Sequence, residues 1–361
     1  MASFQAPADR SHFHFAIICA LRCEFDAIFL LVDQVWDKEN DRYGRAGGDH
    51  NHYTTGRIEN YNVVLVLLPG IGSNSAAAAA SSLRSSYPNI KLAILVGICG
   101  GIPHIEGHDT LLGDVVVSTT IIQYDNGRQY PGQFVRRRNI EDSLGRANSD
   151  IRGLLEGCQT HNAMKWLQRK ASEYLRDLQD AAIKEQYPAD YRYPGMSQNT
   201  LYPPTYIHKH RDKCVLCATD AFCESASKAL CGETECDSSE IVARDRVLEN
   251  NIFSPKIFIG WVGSGNTVMK SGEDRDRIAA ENNIIAFEME GAGAWDEVPS
   301  IVVKGISDYA DSHKNKEWQN FAAATSACVA KAILRRYPIS DEQQASTQSN
   351  AGFTSSSCAL G

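Results

Sequence analysis

The sequence predicts an α/β fold on a largely parallel central sheet. Three observations carry this. Short apolar runs alternate with stretches of helical periodicity, the runs are rich in Val and Ile, and Gly- or Pro-containing breaks separate them. Strands apolar on both sides belong in a sheet covered on both faces.

Taken in order, His14–Leu21 reads as a buried strand and Glu24–Val35 as a helix with Phe25, Ile28, Phe29 and Val32 on one face. Tyr53–Ile58 and Asn62–Leu68 are strands around a hairpin turn at Glu59–Tyr61. Pro69–Gly72 breaks the pattern, and the Ala-rich Ser73–Ser86 is helical. Leu92–Val96 is a strand ending in Gly97, Gly100 and Gly101, a cluster that by itself reads as a tight turn; Gly113–Thr119 is another strand. Ile151–Ile183 is helical by spacing, 185–211 an irregular connection, and 212–255 holds five cysteines without a clear period. Lys256–Val262 returns to strand, followed by a helix at Ser271–Asn282 with Ser271 as N-cap. Ile284–Met289 and Ser300–Ile306 are strands. Glu317–Arg336 is an amphipathic helix with Trp318, Phe321, Thr325, Cys328, Val329, Ala332 and Ile333 inward, stopped near Pro338. The expected organisation is a flexible N-terminus at 1–12, one domain over 13–338 with an inserted segment at 121–255, and a disordered tail at 339–361.

Composition narrows the function. With 36 Lys and Arg against 44 Asp and Glu, the net charge is −8, which argues against a nucleic-acid binder. No apolar run reaches the ~20 residues that span a bilayer, and the N-terminus lacks a secretory pattern. Eleven scattered cysteines suit a reduced, cytoplasmic interior. Cys214, Cys217, Cys231 and Cys236, with Cys223 between and His208 and His210 upstream, are ligand types that suit zinc. Their spacing is irregular, so the reading taken is buried free thiols with no metal and no cofactor.

Ligands of open α/β sheets bind beyond the carboxyl ends of the strands. Four such ends carry unusual residues: Ala20-Leu21-Arg22-Cys23-Glu24, Gly97-Ile98-Cys99-Gly100-Gly101, Phe287-Glu288-Met289-Glu290-Gly291 and Lys304-Gly305-Ile306-Ser307-Asp308. Individually, Glu24 suits a helix first turn and Asp308 a cap. Strand alternation, however, sends Glu288 and Glu290 to one side of a strand expected to be apolar on both faces, where an unpaired carboxylate costs several kcal/mol.

Together, YTTGRIENYNVVLVLLPGIG, LVGICGGIP, LLGDVVVS, FEMEGAG and KGISDYADSHKNKEWQNFAAATSACVAKAIL resemble, in order, the purine/uridine phosphorylase superfamily. The nucleosidase branch, which includes methylthioadenosine/S-adenosylhomocysteine nucleosidase, is the most similar, in the fungal form found with NACHT or ankyrin receptors. The resemblance implies a three-layer α/β/α sandwich with a mixed, mostly parallel twisted sheet. It further implies an N-ribohydrolase acting on a purine nucleoside or nucleotide, adenine and ATP included.

By this resemblance Asp308 is the acid at purine N7, oriented by Ser307, and Glu24 the base that activates water, which Glu288 helps to hold. Glu290 grips the ribose hydroxyls and Met289 packs on the sugar. Phe287, Cys99, Gly100, Asn266, Thr267, Val268 and Met269 line the ligand, with Val268 and Lys304 replacing a Phe and an Arg common in the family. Arg22, Arg57 and Lys270 are read as a rim for phosphates. The phosphorylases' Arg-x-Gly-Ser/Thr phosphate element corresponds to Leu95-Val96-Gly97-Ile98, which lacks both the arginine and the hydroxyl; this favours hydrolysis over phosphorolysis. A catalytically silent nucleotide sensor is the other alternative. A homo-oligomer with shared sites is also implied, Gln123-Tyr124-Asp125 and Gly132-Gln133-Phe134 forming a loop towards a neighbouring subunit, while Arg136-Arg137-Arg138 reads as an exposed face.

Overall fold

A computed structural model of the protein describes residues 5–37, 41–139, 144–212, 214–219, 221–246, 248 and 253–338. The tail at 339–361 and residues 1–4 lie outside the described residues. The rest of the N-terminal segment, expected to be flexible, is pinned. Tyr43 donates to the Pro7 carbonyl at 3.0 Å and Asn89 to that of Ser11 at 2.9 Å.

The elements are β1 (Phe15–Cys19), α1 (Arg22–Phe29), β2 (Gln34–Val35), β3 (Tyr53–Ile58), β4 (Tyr61–Leu67), α2 (Ser73–Ser86), β5 (Leu92–Gly101), β6 (His104–Ile105), β7 (His108–Asp109), β8 (Val115–Gln123), β9 (Gly127–Tyr130) and β10 (Gln133–Arg136). There follow α3 (Ser149–Gln159), α4 (His161–Lys184), α5 (Val215–Ala218), β11 (Ile257–Ser264), α6 (Gly272–Asn282), β12 (Ile284–Glu288), α7 (Gly291–Trp295), β13 (Ser300–Asp308) and α8 (Gln319–Arg336).

The expected α/β sandwich is found. Nine strands form one sheet in the order β12-β11-β8-β13-β5-β1-β4-β3-β2. It is mixed: β1 lies parallel to β4 and β5, and β13 parallel to β5, whereas β8 and β3 run antiparallel to β13 and β4. The end of β5 also pairs antiparallel with β12 through Ala286↔Gly101 and Phe287↔Gly100. That pairing curls one half of the sheet back on itself and brings the ends of β12, β5 and β13 together. On one face α8 packs on β13, β5 and β8 and is covered by α1 and α4; α7 packs on β13 and β8 and against α2.

Three expectations are corrected here. The glycine cluster is no turn: β5 runs on through Gly101 because its neighbours crowd it, and a Cβ on Gly101 would lie 2.7 Å from Ile306. The first helix stops at Phe29 rather than Val35, since Gln34–Val35 joins the sheet edge. Helix α8 is not amphipathic: Phe321 to Leu334 are all buried, because the sheet covers one side and α1 and α4 the other. Its Lys331 reaches the Leu31 carbonyl and Asp33, so even this cation is satisfied inside.

Candidate active site

Glu24 is the third residue of α1 and only 1% exposed. Its Oε2 accepts from the N–H groups of Ala20 and Leu21, and its Oε1 from that of Ile98, each at 2.8 Å. Reaching back to the helix entry fixes its orientation, so the capping reading and the site reading describe one carboxylate. The approach requires a glycine, since a Cβ at Gly97 would sit 2.1 Å from Glu24 Oε1.

Beside it lies Lys304 on β13, buried, with Nζ 3.0 Å from Glu290 Oε2 and 3.9 Å from Glu24 Oε1. The register Lys304↔Gly97 sets this lysine against the same glycine that admits Glu24. Glu290 Oε1 also accepts from the Gly72 N–H at 3.2 Å, where the chain enters α2 with a φ of 107° that suits glycine. Burial pushes the Glu24 carboxyl above its ordinary range; Lys304 opposes this and the charge of Glu290 adds to it. Burial would raise Glu290 too, but Lys304 holds it below its ordinary value. Burial works against a charged Lys304, and the surrounding carboxylates overcome it and raise its pKa.

Contrary to the expected alternation, Glu288 and Glu290 do not lie along one strand. β12 ends at Glu288, and Glu290 has helical backbone at the entry to α7. Glu288 accepts from the N–H groups of Glu290 and Gly291 at 2.9–3.0 Å, so both its oxygens cap α7. The same number of N–H bonds reaches Glu24, so capping α7 does not by itself exclude a water from Glu288. Met289 between them is half-buried.

Asp308 ends β13, 4% exposed, in register with Gly100. Its Oδ2 lies 2.9 Å from both Ser307 Oγ and Lys314 Nζ, and its Oδ1 accepts from the Ala310 N–H at 3.0 Å. Ser307 is therefore where the expected orienting contact requires it. Gly100 is needed here, since a Cβ would meet Ala310 at 2.8 Å and Asp308 Oδ1 at 3.0 Å. Cys99 lies in register with Ile306 and is buried, which drives its thiol pKa upward. Asp308 is four residues from Lys304, roughly 13 Å of strand.

Phe287 packs edge-on against Tyr124 at 5.4 Å, with Ala310 in the same apolar cluster and Met269 against it. The loop after β11 is anchored by Tyr124, whose hydroxyl donates to the Thr267 carbonyl at 3.0 Å, and by Asn266, which bonds Ser73 at the start of α2. Val268 stays 44% exposed. Tyr124 and Asp125 thus pack on this chain's own loop, not outward as expected, because Tyr124 fills the space between Phe287 and Thr267. Arg136 is tied to Gln123 and Asn282 rather than fully exposed.

The phosphate rim is corrected in two places. Arg57 pairs with Asn62 near the start of β4, the opposite end of the sheet from Glu24, and donates to the Glu59 carbonyl. Lys270 donates to the Ser227 carbonyl at 3.3 Å and faces the cysteine-rich segment. Arg22, exposed in the first turn of α1, is the one of the three that remains close to Glu24. Lys304, known from the sequence only as a replacement for a family arginine, proves to bridge two site carboxylates, and Lys314 and Gly72 join the site without a sequence signal. The cysteines of 214–236, expected as buried free thiols, converge with His208 and His210 in two groups.

Among the described residues no helix is long and apolar enough to cross a membrane. The sequence model of the Phosphorylase superfamily matches residues 14–184, a span that contains Glu24 and Gly97. A nucleotide-binding leucine-rich repeat (NLR)-like protein of Hyaloscypha variabilis is 31% identical over 323 residues, 88% of this chain and 28% of that protein. A 5'-methylthioadenosine/S-adenosylhomocysteine nucleosidase of Mycobacterium bovis is 27% identical over 90 residues, 24% of this chain and 35% of that enzyme. The chain thus spans 28% and 35% of these two relatives. Among solved structures, the methylthioadenosine/S-adenosylhomocysteine nucleosidase of Colwellia psychrerythraea in complex with adenine shares the fold. Its TM-score is 0.51 at 18% identity, over 90% of this chain and 96% of that one.

Proposed function

The chain belongs to the phosphorylase superfamily, and from that premise we propose that it hydrolyses the N-glycosidic bond of an adenine nucleoside or nucleotide. One observation carries the choice of hydrolysis. The Ile98 N–H, where a phosphorylase would present its phosphate-holding element, donates to the carboxylate of Glu24. A phosphate dianion placed there would meet a negative charge instead of an arginine.

In this reading the base lies towards Phe287, Met269 and Asp308, and the ribose towards Glu290, with Met289 against the sugar. Asp308, with Ser307 against its Oδ2, gives a proton to N7 as the bond from C1′ to N9 breaks. Water bonds to C1′ and passes a proton to Glu24, so the products are free base and ribose or ribose phosphate. The sugar carries positive charge in the transition state, and Glu24 and Glu290 face it from a buried setting where such interactions are strong. Lys304 is a positioning residue that keeps those two carboxylates apart and charged. Lys314 leaves Asp308 Oδ2 when a base nitrogen takes its place; its side chain is 26% exposed and has room to do so.

Chromatography of products from a panel of nucleosides and nucleotides, with and without phosphate, tests the proposal. Free adenine released without phosphate supports it. Turnover that requires phosphate and yields ribose 1-phosphate overturns it in favour of a phosphorylase. The match to an NLR-like protein, of which the chain covers 28%, favours a second reading as a silent nucleotide sensor; calorimetric binding without product over hours would establish that one. The homo-oligomer is supported by the β9–β10 hairpin, which exposes Tyr130, Phe134 and Val135, and light scattering of the full chain tests it.

A further inference from the structure

The two groups of cysteine and histidine lie between residues 208 and 236, a segment whose regular structure, among the described residues, amounts to α5 and one short 3-10 turn. In the first, His210, Cys214, Cys217 and Cys223 bring four ligand atoms within 4.8 Å of one another. Cys214 Sγ lies 3.9 Å from Cys223 Sγ, and His210 Nδ1 lies 3.6 Å from Cys217 Sγ and 3.9 Å from Cys223 Sγ. Zn–S bonds of ~2.3 Å and Zn–N bonds of ~2.0–2.1 Å in a tetrahedron give edges of about 3.8 Å between sulfurs and about 3.6 Å from sulfur to nitrogen. The observed edges match those lengths. They do not match a disulfide, whose sulfurs are ~2.05 Å apart.

In the second, His208 Nδ1 lies 3.8 Å from Cys231 Sγ and 3.3 Å from Cys236 Sγ. The other ring nitrogen of His208 lies 3.0 Å from the Ala229 carbonyl oxygen. A proton donated there leaves the Nδ1 lone pair facing both sulfurs, the arrangement by which proteins orient a metal-bound imidazole. His313 stands next to these three, though its ring nitrogens are not among the ligand atoms that lie within 4.8 Å of one another. The His313 side chain is 6% exposed, and neither ring nitrogen has a hydrogen-bond partner among the described residues. Asp311 Oδ1 is 3.7 Å from His313 Nδ1, beyond hydrogen-bond range. The His313 ring stacks on Tyr202 at 4.1 Å and meets the His208 ring edge-on at 5.3 Å.

We propose that this segment holds two structural zinc ions, one bound by His210, Cys214, Cys217 and Cys223 and the other by His208, Cys231 and Cys236, with His313 turning in as its fourth ligand. Thiolate and imidazole ligands in a closed tetrahedral set select zinc and leave no open position for catalysis. The consequence is mechanical. His313 follows Asp308 by five residues, and the His208 N–H donates to Ser312 Oγ at 2.9 Å. The second ion therefore ties an otherwise irregular segment to the loop that carries Lys314. The inference stands on these ligands alone, whatever reaction the acidic site performs.

Elemental mass spectrometry of the full chain, purified without a metal-affinity tag, tests it. The expected content is about two zinc ions per chain. Cys217→Ser and Cys236→Ser should each lower this to about one, while Cys158→Ala, in the core away from both groups, leaves it unchanged. Cobalt exchanged into the wild-type chain should show the absorption of tetrahedral thiolate ligation, a readout that does not depend on a variant folding. Wild-type chain without metal above background, or a Cys214–Cys223 disulfide in peptide mapping, overturns the proposal. One ion that is lost in Cys217→Ser but kept in Cys236→Ser overturns the second centre and upholds the first.

Discussion

The acidic site and the cysteine-rich segment are both clusters of polar side chains, but they are held in opposite ways. Around Lys304, each carboxylate meets partners that the sheet and helix ends supply: three N–H groups for Glu24, the Gly72 N–H for Glu290, the start of α7 for Glu288. Strand register and close glycine contacts set those positions before any ligand arrives. Residues 208–236 have little regular structure, and their thiols and imidazoles face mainly one another. A site can be preorganised by backbone hydrogen bonds or by a bound cation, and this molecule uses one means in each region.

The largest effect that sharpens this contrast is on turnover. Asp308→Asn should lower kcat by roughly 10²–10⁴-fold, the contribution of a lost general acid, without unfolding the chain. Steady-state rates with a circular-dichroism melt check both halves. A change under about tenfold would remove Asp308 from the chemistry, because no acid catalyst is so dispensable.

Next comes Lys304→Ala, which leaves Glu24 and Glu290 buried without their shared cation. Breaking a buried pair in this way costs about 3–5 kcal/mol, read from the midpoint of urea unfolding. Lys304→Arg should recover most of it, since a guanidinium offers more donors in a comparable volume. A loss below about 1 kcal/mol would mean that the backbone alone holds the carboxylates.

Much of this site was legible in the sequence because its residues fall at strand ends, where short apolar runs stop at Glu24, Glu288 and Asp308. Lys304 was not. A lysine in an apolar strand shows its role only when both faces are known to be covered, and that depends on α8 and α7, far off in sequence. The run Gly97 to Gly101 looked like a turn because glycine serves equally for bending and for close packing. Only the contacts of Glu24, Asp308 and Ile306 show which of the two applies. The antiparallel closure of β12 on β5 is likewise non-local and leaves no periodic trace. In the cysteine segment the intervals between ligands are irregular, so convergence was visible only in space.

Removing metal should separate the two regions most directly. A chelator at neutral pH should expose residues 205–236 to limited proteolysis while the sheet and α8 resist it. Mass spectrometry of the fragments locates the cuts. Cuts spread through the core would show that the sheet, too, depends on the ions.

The pH dependence probes the acidic side alone. Glu24 must be charged to accept a proton from water, and its pKa lies above the ordinary 4.5 through burial and through the nearby Glu290. Activity should therefore fall as pH drops through that raised value. Glu290→Gln removes one negative neighbour and frees Lys304 for Glu24; both lower the Glu24 pKa and move the acid limb of kcat/KM to lower pH. A limb that stays put would assign it to another group.

The smallest effect is expected at the far end of the sheet. Arg57 donates to the Glu59 carbonyl in the turn between β3 and β4, and its register partner Asn62 stands five residues before the end of β4 that lies nearest the site. That separation is about 17 Å of strand, too far for an arginine to reach a phosphate on a ligand held between Glu290 and Asp308. Arg57→Gln should cost at most about 1 kcal/mol of stability and leave kcat/KM within experimental scatter for nucleosides and nucleotides alike. A rise in KM confined to phosphorylated substrates would require a binding mode that extends along the opposite end of the sheet, and would undo the assignment of the site to the ends of β1, β5, β12 and β13.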